Sequence, residues 1–189
     1  MKKLAIILVL LLATSAFAQG LSFGVKGGVN YATLSGDDVE DAEWKLGFAA
    51  GAVAAFDVMD MLVIQPEVLY SMKGAESEGE SFDLTYIDIP VLLKYAIPME
   101  GMIAPNLFVG PLLGILLSAD AAGEDVKDQL KSMDYGVVFG AGVDFDLGTG
   151  KVTIDARYNL GLASIDDSGA DWDIKNSGMS AYVGYLFGF

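Results

Sequence analysis

The chain has 189 residues, with 11 basic against 26 acidic side chains, a net charge of −15, no cysteine and no histidine. That balance disfavours nucleic acid as a partner, whose phosphates need Lys and Arg. The missing cysteines exclude a disulfide scaffold, and the missing histidine excludes a Ser-His-Asp or His-Asp catalytic site. Yet 53% of the residues are hydrophobic and the mean hydropathy is +0.45, high for a soluble secreted protein.

The chain opens "MKKLAIILVLLLATSAFAQG". Lys2 and Lys3 precede a continuous apolar run from Leu4 to Ala13, and Ala16-Phe17-Ala18 has the small-x-small pattern of a cleavage site. This predicts a secretory signal peptide over residues 1–18, cut before Gln19, with residues 19–189 as one domain. The apolar run is about half of the roughly 20 residues that a spanning helix needs. No cysteine stands near the cut, so no lipid anchor is expected.

Past the leader the apolar residues recur at every second position, the mark of a strand with two unlike faces. The first strand, near 21–31, sets Leu21, Phe23, Val25, Val29 and Tyr31 against Ser22, Lys26 and Asn30. The second, near 44–56, carries Leu46, Phe48 and Phe56 in phase. The third, near 62–73, opposes Ile64, Val68, Tyr70 and Met72 to Gln65, Glu67, Ser71 and Lys73. In the fourth, near 84–97, Ile87, Ile89, Val91, Leu93 and Tyr95 oppose Tyr86, Asp88 and Lys94. The fifth, near 103–117, is apolar on both faces, with Gly110 and Gly114 on one of them. The sixth, near 135–145, alternates Tyr135, Val137, Phe139, Val143 and Phe145 with Gly136, Gly140, Gly142 and Asp144. The seventh alternates Val152, Ile154, Ala156, Tyr158 and Leu160 with Thr153, Asp155, Arg157 and Asn159. The eighth, near 179–189, sets Val183, Tyr185, Phe187 and Phe189 against Ser180, Gly184 and Gly188. No helical stretch is expected.

The connections alternate in length. Residues 57–60, 98–101 and 148–150 are short turns, whereas 32–43, 74–83, 119–134 and 163–177 are long and polar. An even number of strands with this alternation predicts an all-β fold, an eight-stranded antiparallel up-and-down transmembrane β-barrel of the bacterial outer membrane. The termini would then be periplasmic and the long loops extracellular. The apolar face meets outer-membrane lipid, with Tyr31, Tyr70, Tyr95, Tyr158 and Tyr185 as interface aromatics. The small and charged face turns inward, where a ring of eight strands leaves room only for side chains. Lys26, Glu67, Asp88, Lys94, Asp155 and Arg157 are therefore expected to pair inside the barrel, with Arg157 as hub, Glu67 as its first partner and Asp155 as its second.

Five stretches resemble the PorT-like outer-membrane β-barrel family of the Bacteroidetes and relatives: "FGVKGGVNYATLSG" at 23–36, "IQPEVLYSMKGA" at 64–75, "YIDIPVLLKY" at 86–95, "VGPLLGILLSA" at 109–119 and "ARYNLGLASI" at 156–165. They fall in order across nearly the whole mature chain. The resemblance implies an eight-stranded barrel similar to the OmpA transmembrane domain and to OmpX. One branch of the family is associated with a protein-secretion apparatus, and no residue here assigns the chain to it. The segment Tyr182-x-Gly184-x-x-Phe187-x-Phe189 resembles the C-terminal signal through which such barrels are recognised by the outer-membrane insertion machinery, a further expected partner.

Chemistry beyond this is sparse. A carboxylate pair such as Asp155 with Glu67 could work as acid and base, but charges in a packed interior are more often structural ion pairs. No enzyme activity and no cofactor are expected. Gly140-x-Gly142 lacks the third glycine and the helix of a nucleotide fingerprint. The loops are acidic: Asp37, Asp38, Glu40, Asp41 and Glu43; then Glu76, Glu78, Glu80 and Asp83; then Asp120, Glu124, Asp125, Asp128 and Asp134; then Asp166, Asp167, Asp171 and Asp173. Hard divalent cations take such oxygens, which makes Asp166, Asp167, Asp171 and Asp173 weak metal candidates, although charge runs without ligand spacing are usually only solvated. The expected role is structural, or the binding of envelope proteins or cations through the loops. Narrow-pore transport and a place in a secretion apparatus are the alternatives.

Phe189→Asp removes both an aromatic recognition group and lipid-facing apolar area. It should lower the amount of heat-modifiable folded barrel in the membrane fraction, read by electrophoresis without boiling. Undiminished folded protein would refute the role given to the last residue.

Overall fold

Eight long strands are separated by turns and loops: β1 (Leu21–Ser35), β2 (Glu43–Met59), β3 (Leu62–Ser77), β4 (Glu80–Ala96), β5 (Ile103–Ala121), β7 (Met133–Asp146), β8 (Gly150–Gly161) and β9 (Lys175–Gly188), with a two-residue strand β6 (Glu124–Asp125) after β5. The computed structural model describes residues 20–36, 39, 42–77, 80–169 and 172–188. The expected leader over residues 1–18, the acidic residues Asp37, Asp38, Glu40, Asp41, Glu78 and Asp171, and Phe189 lie outside the described residues.

Every long strand pairs antiparallel with its two neighbours in the ring. The ring closes where β1 meets β9, in a ladder from Ser22↔Gly188 to Ser35↔Lys175. The result is a closed eight-stranded up-and-down barrel. Its strands run from 12 residues in β8 to 19 in β5, longer than the roughly 9–11 that cross a bilayer at a tilt.

The alternation in the sequence sets the two faces. Phe23, Val25, Phe48, Val68, Leu107 and Val183 point outward and are exposed. Lys26, Asn30, Glu67, Asp88, Lys94, Asp155 and Arg157 point inward and are buried. Leu21, at the start of β1, departs from this pattern, buried although in phase with Phe23. No helix among the described residues is long and apolar enough to cross a membrane. The apolar outer wall of the strands is the surface a bilayer covers in barrels of this kind.

Two of the expected long loops turn out differently. The stretch 74–83 is not a loop. It continues the β3–β4 hairpin, with Gly74↔Asp83 and Ser77↔Glu80 in register. Pairing of backbones tolerates acidic side chains on both faces, but the apolar period that reveals a strand is then absent. The stretch 119–134 is partly ordered as well. β5 runs on to Ala121, β6 folds back on it at Asp120↔Asp125, and Lys127–Gln129 form a single 3-10 turn where no helix was expected.

Inward glycines let neighbouring strands curve closely. A Cβ on Gly110 would lie 2.0 Å from the carbonyl oxygen of Val91, whereas one on outward Gly27 would meet nothing nearer than 3.8 Å. Gly110→Val should therefore cost about 1–3 kcal/mol or more through overpacking against backbone, seen as a lower urea midpoint for the folded barrel. Gly27→Ala should leave the midpoint unchanged.

Candidate functional site

The barrel interior is the place where this chain gathers its chemistry. Lys26 on β1, Glu67 on β3, and Asp155 and Arg157 on β8 converge there. Asp155 and Arg157 share a face because they are two residues apart on one strand. Lys26 Nζ donates to Glu67 Oε1 at 2.8 Å and to Asp155 Oδ2 at 2.7 Å. Arg157 donates from Nη1 to Glu67 Oε2 at 2.9 Å, and from Nε and Nη2 to Asp155 Oδ1 at 2.9 and 2.7 Å. Two cations thus face two carboxylates in a closed square. Gln65 Nε2 adds a bond to Glu67 Oε1 at 2.7 Å. The rings of Tyr182 and Phe108 lie 4.5 and 5.4 Å from the guanidinium carbon of Arg157, within cation–π range. Tyr182 donates its hydroxyl proton to Asn30 Oδ1 at 3.0 Å.

Asp88 and Lys94 stand apart from this square. Asp88 pairs with Lys73 at 2.8 Å, and Lys94 with Asp144 at 3.2 Å. Lys73 and Asp144 were not singled out as network members in the sequence. Both stand on the polar face of their strands, so the alternation alone points to them. Asn30, Gln65, Asp134 and Asn176 also belong to the polar interior.

The two ends of the barrel differ. At the end with the long loops, Leu84, Tyr86, Leu116, Ala119 and Ile165 form a buried cluster, with Leu34, Phe82, Val126, Leu130 and Ile174 packed against it. Two connections are pinned together above it: Lys131 N donates to Ile165 O, Asp167 N to Gln129 O, and Leu130 bridges Asp166. These segments cap the mouth. At the end with the short turns, a vestibule of about 550 Å³ is lined by Asp57, Asp60, Met102, Asp144, Asp146 and Lys151.

The remaining sequence candidates are dispersed. Tyr182 and Gly184 face inward, while Phe187 faces outward, edge-on to Tyr185 at 4.8 Å. Asp173 pairs with Lys175 at 2.7 Å, and Asp166 Oδ1 accepts from the backbone of Ser168. Among the described residues, no group of three or more His, Cys, Asp or Glu side chains is placed to hold a metal ion. Glu67 and Asp155, the candidate acid–base pair, are both committed to Arg157 and Lys26.

A closed antiparallel ring, apolar outside and ion-paired within, defines an outer-membrane barrel protein. Residues 17–167 match the family model described as outer membrane protein beta-barrel domain, and the chain belongs to that family, which places it in the bacterial outer membrane. Solved structures share the fold. Neisserial surface protein A is 20% identical, with a TM-score of 0.57 over 88% of this chain and 98% of that one. OprG from Pseudomonas aeruginosa is 12% identical, with a TM-score of 0.55 over 90% and 97%. Ail, the attachment invasion locus protein of Yersinia pestis, solved in complex with the heparin analogue sucrose octasulfate, is 15% identical, with a TM-score of 0.50 over 89% and 99%. No curated protein matches the sequence.

Arg157→Met leaves Lys26 alone against Glu67 and Asp155. An uncompensated buried charge costs about 3–5 kcal/mol, and the folded barrel should lose stability on that scale in urea unfolding from detergent or liposomes. Adding Glu67→Gln restores one cation to one carboxylate, so the double variant should recover part of the loss. An Arg157→Met barrel that unfolds like the parent would contradict the buried square.

Proposed function

We propose that this protein is a closed, non-catalytic barrel that anchors its loop surface in the outer membrane, with a structural role or a role in binding a partner. In this reading the termini and short turns face the periplasm, the long loops face the exterior, and the leader is removed on export. The carrying observation is the interior: the Lys26–Glu67–Arg157–Asp155 square lies below a capped mouth. A filled interior argues against solute passage, and carboxylates held by two cations argue against acid–base work. At the loop end Glu76, Asp83, Asp120, Asp125, Asp128 and Asp167 give an acidic surface. Its partners are envelope proteins or divalent cations of the cell surface, and the C-terminal segment with Phe187 addresses the chain to the insertion machinery.

The PorT-like stretches supply the alternative partner, a protein-secretion apparatus. Affinity purification of the intact barrel from native membranes separates the two: recovery of a stable complex of secretion components favours the second. In planar bilayers the purified protein should give no large, stable conductance. Reproducible nanosiemens-scale steps would overturn the closed-anchor reading and favour transport.

A further inference from the structure

The interior charges do not balance. Lys26, Lys73, Lys94 and Arg157 are matched by Glu67, Asp88, Asp144 and Asp155 in ion pairs. A further buried carboxylate, Asp134 on β7, makes no ion pair with any described residue and is only 4% exposed. Its Oδ2 accepts from Asn176 Nδ2 at 2.9 Å, and its Oδ1 is buried without a partner. A buried carboxylate in that state is strongly unfavourable unless something compensates it.

Asp134 lines a cavity of about 10 Å³ together with Lys73, Asn159, Asn176, Ser177 and Ser180. That volume admits one guest of the size of a water molecule. Ser177 Oγ is spent on Ser35 Oγ at 2.9 Å, and the side-chain oxygens with lone pairs left are those of Asp134, Asn159 and Ser180. Asn159 uses its amide nitrogen on Ser180 Oγ, which leaves its carbonyl oxygen. Lys73 Nζ is engaged by both oxygens of Asp88, at 2.9 and 2.8 Å, and lies 5.0 Å from the centre of the Tyr86 ring.

We propose that this cavity binds a single monovalent cation of about the size of a water molecule, on Asp134 Oδ1, with side-chain oxygens of Asn159 and Ser180 as neutral donors. One carboxylate among amides and hydroxyls suits a single charge, because divalent sites gather several carboxylates. The cation restores neutrality to the interior. It also supports the cap, since Asn176, which holds Asp134, donates to the Tyr86 hydroxyl at 3.2 Å, and Tyr86 belongs to the cap cluster.

The test is urea unfolding of the full barrel in liposomes, in potassium chloride against choline chloride at equal ionic strength. A ligand that binds only the folded state raises the midpoint with the logarithm of its concentration. The parent should show that rise with K⁺, and Asp134→Asn, which removes the charge but keeps the shape, should not. The variant also subtracts whatever the acidic loops bind. Equal salt responses in parent and variant, or none in the parent, would overturn the site. Crystals of the parent soaked in thallous salt give an independent readout: an anomalous peak beside Asp134 Oδ1 supports the cation. A light, non-anomalous peak there, or none, means that water or a proton meets the carboxylate, and the proposal fails.

Discussion

A strand in hydrocarbon has no water to which a free N–H or C=O can turn, so each backbone polar group must find a partner within the protein. In this chain the β1–β9 ladder, from Ser22↔Gly188 to Ser35↔Lys175, is what removes the last open edges. Much else follows from that closure. The strands must curve, so inward positions become crowded and glycine occupies several of them, as at Gly110 against the Val91 carbonyl. The outer face loses its reason to be polar and becomes apolar. The inner face loses contact with bulk water, so any charge on it needs a partner from across the ring.

That last requirement explains the arrangement of the interior. Lys26, Glu67 and Arg157 come from three strands that are far apart in the chain, separated by up to 131 positions in number, and they meet only because the ring is closed. The square they form with Asp155 is neutral, and each carboxylate accepts from both cations. The planar guanidinium of Arg157 reaches two carboxylates at once, which an ammonium could match only as a point charge. Tyr182 and Phe108 fill the space beside it with polarisable ring faces rather than water. Packing and electrostatics are here one device: the same side chains that neutralise each other also occupy the channel that closure creates.

The strands were legible because each has a two-residue period with unlike faces, and Val152 to Leu160 against Thr153 to Asn159 is the clearest case. The inward direction of Arg157 and Glu67 was legible from the same phase. Pairings were not, because alternation reports a face and not a height on the barrel. It left Asp88 and Lys94 in one network, whereas the register of β3, β4, β5 and β7 sets them against Lys73 and Asp144. The ladder from Gly74↔Asp83 to Ser77↔Glu80 was hidden for a related reason: once a hairpin leaves the apolar zone, both faces are polar and the period disappears. The capping of the mouth by Ile165 depends on a contact between two loops, and no local pattern records that.

The two ends of the interior then divide the labour. Towards the short turns the barrel opens into a vestibule above the Lys94–Asp144 pair. Towards the long loops an apolar cluster around Tyr86 and Ile165 shuts it, with Lys131 and Asp167 tying one loop to the next through the backbone. Such a cluster is a second small core, stabilised by burial rather than by charge. It holds the bases of the loops on the ring, while the sequence concentrates its acidic residues in the connections beyond. Substitutions in those connections, away from the cluster and the square, change the exposed chemistry with little effect on the fold. A closed wall, an ion-paired interior and a pinned set of loop bases together form a scaffold that leaves the exposed surface free of the fold's main constraints, and this is the physical support for the proposal that the protein acts through its loops.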